Sequence, residues 1–455
     1  METQLRQKAA APLFTRQALV RLIIPLVIEQ FLLMTVGMAD TVMVTSAGEA
    51  AVSGVSLVDQ INLLIIQVFA ALSTGGTVVV SQYLGRQEQE NAGAAARQLL
   101  CAAVFISSLL TLLALLLRGH ILTLIFGGVE ADVMASALVY FLLTALAYPF
   151  MAVYNAGAAL FRAMGNSKIS MFCSLIVNIV NIAVNGVLIY GFHMGAAGAG
   201  IGTLVSRIAA AAIITVLLRH PDSLLQLSAL PPFRLQWDMI RRILSVGIPN
   251  GLENGMFQVG KLAVLNLITS FGTAAVAANA IANSIAGVIN VPGQAMGLAI
   301  ITVVGQCMGA GDPDQAASYT KRLVGASYLC MLLMCTVLFF LAGWLVTLFH
   351  LSPEAMRSAA QVLRLFAVFA TLFWSPSFAL PNALRAAGDA VFTMSVSLCS
   401  MFACRVALSY VLACSWGLGM ALSGVWLAMF CDWLVRAVLF LVRFLRGKWR
   451  RLQVI

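Results

Sequence analysis

The chain has 455 residues, of which 61% are hydrophobic and only 10% charged. Soluble domains carry about a quarter charged residues, so this balance excludes an ordinary water-soluble fold and points to a lipid bilayer as solvent. The net charge of +10 does not mark a nucleic-acid binder, because the basic residues are spread over loops rather than gathered into one patch. A helix needs about 20 apolar residues to cross a bilayer. In chain order such stretches occur at 19–46, 54–80, 98–117, 133–154, 169–190, 196–218, 243–269, 276–304, 323–349, 361–383, 391–414 and 418–442. Most read apolar all round rather than alternating, which predicts about twelve transmembrane helices and not barrel strands. The first stretch follows Arg6, Lys8, Arg16 and Arg21 and lacks a small-residue cleavage site, so it reads as a span and not a removable signal.

With the N-terminus inside, inner loops and tails hold Arg86, Arg97, Arg162, Lys168, Arg219, Arg234, Arg241, Arg242, Lys321, Arg322, Arg385 and the basic tail from Arg436 to Arg451. Outer loops hold only Arg118, Arg357 and Arg364. Basic residues favour the cytoplasmic side, so both termini are expected there, in a multi-pass protein of the cell membrane. The nine cysteines have no metal-like spacing and read as small packing residues.

The second half restates the first. Ile24-Pro-Leu-Val-Ile-Glu29 meets Ile248-Pro-Asn-Gly-Leu-Glu253 at an offset of 224. At the same offset Gly48-Glu-Ala-Ala-Val52 meets Gly272-Thr-Ala-Ala-Val276, and Ser81-Gln-Tyr-Leu-Gly85 meets Gly305-Gln-Cys-Met-Gly309. Ala159-Leu-Phe-Arg-Ala-Met-Gly165 meets Asn382-Ala-Leu-Arg-Ala-Ala-Gly388 at 223. Four ordered matches with almost no drift indicate a duplication. Six spans separate equivalent positions, so both halves run the same way through the membrane. The expected architecture is an all-α integral membrane protein of two six-helix lobes, 1–218 and 243–455, joined by a linker at 219–242 that carries Pro221, Pro231 and Pro232. A parallel duplication around a cavity is a transporter plan.

Ionisable residues inside a bilayer cost at least about 2.5 kcal/mol each and mark function. Glu29 and Asp40 lie on the first helix, 11 residues apart, about 20° beyond three full turns, and therefore on one face. Asp40, Asn185 and Thr203 fall roughly 9–11 Å below the outer surface, with Asn181 one turn deeper than Asn185. One carboxylate, two amides and a hydroxyl at matched depth suit a small hard cation or a proton, or alternatively plain interhelical hydrogen bonds. Asp40 is expected to be the only carboxylate there. In the second half Glu253 follows Pro249 by four residues, where a bend opens a helix toward a cavity, and a carboxylate there suits a cationic substrate or a proton. Lys261 and Arg405 are alternative partners that would neutralise it. Asp432 and Arg436, four residues apart, read as a structural ion pair. No HExxH, GxSxG or GxxxxGK[ST] pattern is present, so neither an enzyme nor an ATP-driven pump is expected.

These residues resemble the multidrug and toxic compound extrusion (MATE) family over nearly the whole chain. The resemblance is carried by Pro25…Glu29, Gly37-Met-Ala-Asp40-Thr-Val-Met, Ala51-Val-Ser-Gly-Val-Ser, Gln82-Tyr-Leu-Gly-Arg86, Ala159-Leu-Phe-Arg-Ala-Met-Gly-Asn166 and Gly195-Ala-Ala-Gly-Ala-Gly-Ile-Gly-Thr203. Ile248-Pro-Asn-Gly-Leu-Glu253 and Ala383-Leu-Arg-Ala-Ala-Gly-Asp389 carry it in the second half. It implies two six-helix lobes that alternate between inward and outward openings and export organic cations and other amphipathic compounds in exchange for protons or sodium. The family's helix-1 aspartate matches Asp40, its helix-5 asparagine Asn181, its helix-6 threonine Thr203 and its helix-7 glutamate Glu253. Its helix-5 aspartate falls on Asn185 and its helix-10 aspartate near Trp374, two departures.

The expected function is thus a secondary active antiporter exporting organic, cationic, amphipathic compounds. The coupling site comprises Asp40, Asn181, Asn185 and Thr203, with Glu253 in the second lobe and Glu29 as an additional candidate. No cofactor or resident metal is expected beyond a coupling proton or a sodium ion at Asp40. The expected partners are a small-molecule substrate and membrane lipid, with no nucleic acid, around a monomer. The alternatives are a lipid-linked oligosaccharide flippase, for which Arg207, Lys261 and Arg405 speak, and a non-transporting membrane receptor or scaffold.

Overall fold

The computed structural model describes residues 12–220, 224–225, 235–349, 351–414 and 417–455. Arg6, Lys8, Pro221, Pro231, Pro232, Arg234 and His350 lie outside the described residues, and with them most of the expected linker. The described residues form helices joined by short turns, with no strand among them. The long helices are α1 (Arg16–Thr45), α2 (Glu49–Gly85), α3 (Gln89–Phe126), α4 (Ala131–Ala163), α5 (Ser167–Gly191) and α6 (Gly195–Leu218). The second set is α7 (Trp237–Thr269), α8 (Thr273–Gly309), α9 (Pro313–Thr347), α10 (Pro353–Ala386), α11 (Ala390–Ala413) and α12 (Ala421–Leu445).

Eleven of these are long and apolar enough to cross a membrane, and α7 is the twelfth in register with α1. Its charged residues Asp238, Arg241, Arg242, Glu253 and Lys261 lower its hydropathy. Several helices run past the apolar windows read from sequence, α2 and α3 to 37 and 38 residues, because their polar ends continue the hydrogen-bond ladder beyond the hydrocarbon. Large apolar side chains such as Leu116, Leu124 and Phe340 face outward, as a lipid solvent allows.

The duplication is visible in backbone detail. α2 and α8 both have 37 residues and start after Gly48 and Gly272, with φ of 96° and 92° that a side chain would disfavour. Pro25 and Pro249 sit inside α1 and α7 at equivalent positions. The chain forms two compact units, one of Ile28–Gly251 and one of the residues up to Val27 together with Leu252–Ile455. The two breaks, at 28 and 252, are again 224 apart, each three residues beyond its proline.

Within 28–251, small residues let helices approach closely. A side chain at Gly75 would collide with the Ile243 carbonyl of α7, and one at Gly76 with Leu99 of α3. The unit containing 252–455 has an aromatic core. Phe369 stacks on Phe430 at 4.7 Å between centroids, and Phe366 meets Trp426 edge-on at 6.1 Å. Trp374, near which the resemblance would put an aspartate, is buried against Gly293 and tilted over Phe378.

Candidate functional sites

Asp40 and Glu29 both bond to α5, so α1 does present them on one face. The Asp40 Oδ1 accepts a hydrogen bond from Asn185 Nδ2 at 2.6 Å, and the same amide nitrogen reaches Asn181 Oδ1 at 3.3 Å. Asn185 is fully buried and is the last residue before a π-helical stretch, Gly186–Gly191, that ends α5. Such stretches widen a helix and recur at functional sites. Helix α6 closes on Asn185 through Gly202, where a β-carbon would overlap the Asn185 amide oxygen. Thr203 lies next along α6, within hydrogen-bond reach of Tyr140. The structure thus brings the four expected residues of α1, α5 and α6 into one site.

One expectation is corrected. Asp40 is not the only carboxylate: Asp59 of α2 lies within electrostatic range of it. Asp59 accepts from Tyr140 Oη at 3.1 Å and from Asn62 Nδ2 at 3.2 Å, and Asn62 in turn accepts from Tyr148 Oη at 2.9 Å. Sequence reasoning passed over Asp59 although it stands inside the second predicted span, where the rule applied to Asp40 applies equally. Arg207, one turn from Thr203, is also in electrostatic range of Asp40, and its buried Nε has no partner among the described residues.

The orientation of Asn185 matters for chemistry. Its N–H groups face Asp40 and Asn181, so position 185 offers the carboxylate a donor where an aspartate would offer a second acceptor. Gly202→Ala should displace this amide, cost about 1–3 kcal/mol of overpacking and slow ion-coupled transport. The checks are the melting temperature of the purified protein and gradient-driven uptake in vesicles, and unchanged values in both would show that α5 and α6 are not locked here.

Glu29 is 2% exposed, with Arg162 Nη1 donating to Oε1 at 2.9 Å and Ser170 Oγ to Oε2 at 2.6 Å. The second unit repeats this. Glu253 is 8% exposed, and Arg385 Nη2 reaches both its carboxylate oxygens at 2.7 Å while Ser397 Oγ donates to Oε1 at 2.7 Å. Arg162 and Arg385 are the arginines of the repeated Ala-Leu-(Phe)-Arg motif. The partner of Glu253 is therefore Arg385, and neither Lys261 nor Arg405 bonds to it. The expected Asp432–Arg436 pair does form at 2.8 Å, with Ser400 donating to Asp432 at 2.6 Å.

Twelve long helices among the described residues, eleven of them apolar enough to cross a membrane, repeat in two sets with carboxylates buried inside them, which is the make-up of a transporter and not of an enzyme. The sequence model of the MatE family matches the chain twice, over residues 25–187 and 249–411. The chain belongs to that family, the multidrug and toxic compound extrusion transporters. It is 27% identical to the probable multidrug resistance protein NorM of Thermotoga maritima, over 97% of this chain and 94% of that protein. Identity to the transporter YisQ of Bacillus subtilis is 26%, over 93% of each. In three dimensions the fold matches the crystal structure of MATE in complex with MaL6 with a TM-score of 0.88 at 20% identity, over 94% of this chain and 95% of that one.

Proposed function

We propose that this multidrug efflux transporter is a secondary active antiporter of the cell membrane, with ions entering at the Asp40 site driving amphipathic organic compounds outward. The observation that carries the reading is Asp40, half-buried inside the membrane helices and held by Asn185, with Asp59 and Arg207 both in electrostatic range of it. Two carboxylates within electrostatic range of each other suit the joint uptake of one proton. Protons are favoured over sodium because Asn185 turns its N–H groups, not its oxygen, to Asp40. The test is transport in reconstituted vesicles with pH and sodium gradients imposed separately. A pH gradient alone should suffice, and dependence on sodium alone would replace the proton.

The expectation of a cationic substrate has two supports, the family resemblance and a cavity-facing Glu253. Arg385 and Ser397 occupy that carboxylate, so the charge preference falls to other residues of the same unit. The same reading places both termini in the cytoplasm, from the basic residues of the inner loops. Single cysteines placed at 219 or 220 in a cysteine-free background should react with membrane-impermeant thiol reagents only from the cytoplasmic side. Ready labelling from outside intact cells would invert the orientation.

A further inference from the structure

A cavity of about 250 Å³ opens within the unit 252–455, lined among others by Lys261, Val264, Asn283, Arg405, Trp426 and Met429. Among the described residues no carboxylate lines it. Arg405 is 8% exposed, and among the described residues its guanidinium makes no hydrogen bond or ion pair. What it has is the ring of Phe257 at 5.1 Å from the centroid, and Lys261 lies over the same ring at 5.1 Å, with Arg436 at 5.4 Å. The acidic group in electrostatic range of Arg405 is Asp432, already held by Arg436 and Ser400. Asp432 is thus already taken, and Lys261 and Arg405 carry like charge over one ring. Like charges held together on membrane helices are kept where a counter-charge arrives. Arg405 also stands on a π-helical segment, Met401–Ala407, which opens α11 at this level.

Of the two asparagines at the cavity, Asn283 spends its N–H groups on Asn279, and Asn279 keeps donors to offer. The Asn279 oxygen is occupied by Trp426 Nε1 at 3.1 Å and Asn283 Nδ2 at 3.1 Å, which leaves the Asn279 N–H groups without a partner among the described residues. The cavity also has a definite place in the duplication. At the offset of 224 fixed by the prolines and by Gly48 and Gly272, Asp40 corresponds to Val264 and Asp59 to Asn283. The sixth and twelfth helices register at 226, because Gly198 lies against Leu188 and Ile189 as Gly424 lies against Leu412 and Ala413. At that offset Thr203 corresponds to Met429. Three members of the carboxylate site thus have their counterparts in the wall of this cavity, with both carboxylates lost. Lys261 has arisen where the first repeat has Gly37.

We propose that this cavity is a binding site for the anionic group of a small aromatic amphiphile, a carboxylate or sulfonate held by Lys261 and Arg405 with its ring against Trp426 and Met429. The duplication has produced one acidic and one basic site from the same framework. The volume of about 250 Å³ lies just below the roughly 300 Å³ at which drug-sized ligand sites start, and suits a compact molecule of one or two rings. As a route for exported substrate the site rests on the antiport reading; as a binding site it does not.

The experiment compares 2-naphthoate with 2-naphthylmethylammonium, an ion of similar size and opposite charge, by calorimetry on the full chain in nanodiscs of zwitterionic phosphatidylcholine. Naphthoate should bind at least about tenfold more tightly than the ammonium ion, and Lys261→Gln and Arg405→Gln should each weaken it by about tenfold or more. Lys261 has no hydrogen bond or ion pair to lose among the described residues, so its variant should fold normally. Val264→Asp, which restores the carboxylate of the first repeat one turn from Lys261, should weaken naphthoate binding as well. Equal or reversed preference between the two ions, or naphthoate binding unchanged by both Lys261→Gln and Arg405→Gln, would overturn the proposal. Retained naphthoate binding without any gradient-driven transport would refute the antiport reading and leave the anion site standing. Charge-blind binding with intact transport would do the reverse.

Discussion

Asp40→Asn should abolish gradient-driven transport, by about a hundredfold or more, while substrate counterflow, which needs no ion, continues. The reason is that Asn cannot exchange a proton, and no neighbouring carboxylate is placed to accept from Asn185 as Asp40 does. Asp59 adds a sharper test than a single carboxylate allows. Asp59→Asn should lower coupled transport about tenfold and reduce a two-step pH profile to one step, because a lone carboxylate titrates without a partner. Asn185→Asp alone removes the donor to Asp40 and gathers three carboxylates, so it should also impair coupling. Combining the two changes moves the second carboxylate from α2 to α5 and should recover activity over either single variant. Gradient-driven transport at the wild-type rate in Asp40→Asn would send coupling elsewhere, to Glu29 or Glu253. Failure of the double variant to recover would mean that Asp59 acts from its own position and not as half of a pair.

The sequence made the helix count, the repeat and the Asp40–Asn181–Asn185–Thr203 grouping legible, for physical reasons. A bilayer imposes helices of known length, and an aspartate inside one needs partners at its own depth. What stayed hidden depended on distant chain. Lys261 and Arg405 are the alternative partners of Glu253 in the sequence, yet Lys261, eight residues along the same helix, is about 80° past two turns and on a different face. The actual partner of Glu253, Arg385, is 132 residues away and arrives only through the packing of α7 with α10. The signal was nonetheless present: both repeats carry the same Glu and the same motif arginine at matching offsets, and a duplicated pair of opposite charges is a contact waiting to be read. The π-helical stretches that carry Arg405 and follow Asn185 left no such mark, since an i→i+5 bond pattern has no composition of its own. The basic cavity was half legible. Lys261 and Arg405 stand out as ionisable residues in spans, but that they meet over Phe257 is a fact of the fold.

The repeated Glu–Arg pairs give the second large effect. Glu253→Gln should lower the folded yield and cost about 3–5 kcal/mol, because Arg385 would keep its charge in a buried position without its carboxylate. A loss of this size should appear as a fall in melting temperature of roughly 5–10 °C in detergent. Glu29→Gln should do the same in the other unit, where Arg162 and Ser170 would be left in the same way. Removing both charges is a different matter, since a buried pair replaced as a pair is often close to neutral. Glu253→Gln with Arg385→Gln should therefore recover most of the lost stability, the two amides bonding each other and Ser397 or Asn382 taking the remaining donors. Transport by that double variant separates the two roles of Glu253. Recovered stability with recovered export of both cationic and neutral compounds marks a structural pair that fixes α7 against α10 just past Pro249. Recovered stability with cation export selectively lost would return Glu253 to the substrate path, with Arg385 released from it during the transport cycle. A Glu253→Gln single variant as stable as the wild type would remove the premise, since the buried arginine would then have another counter-charge.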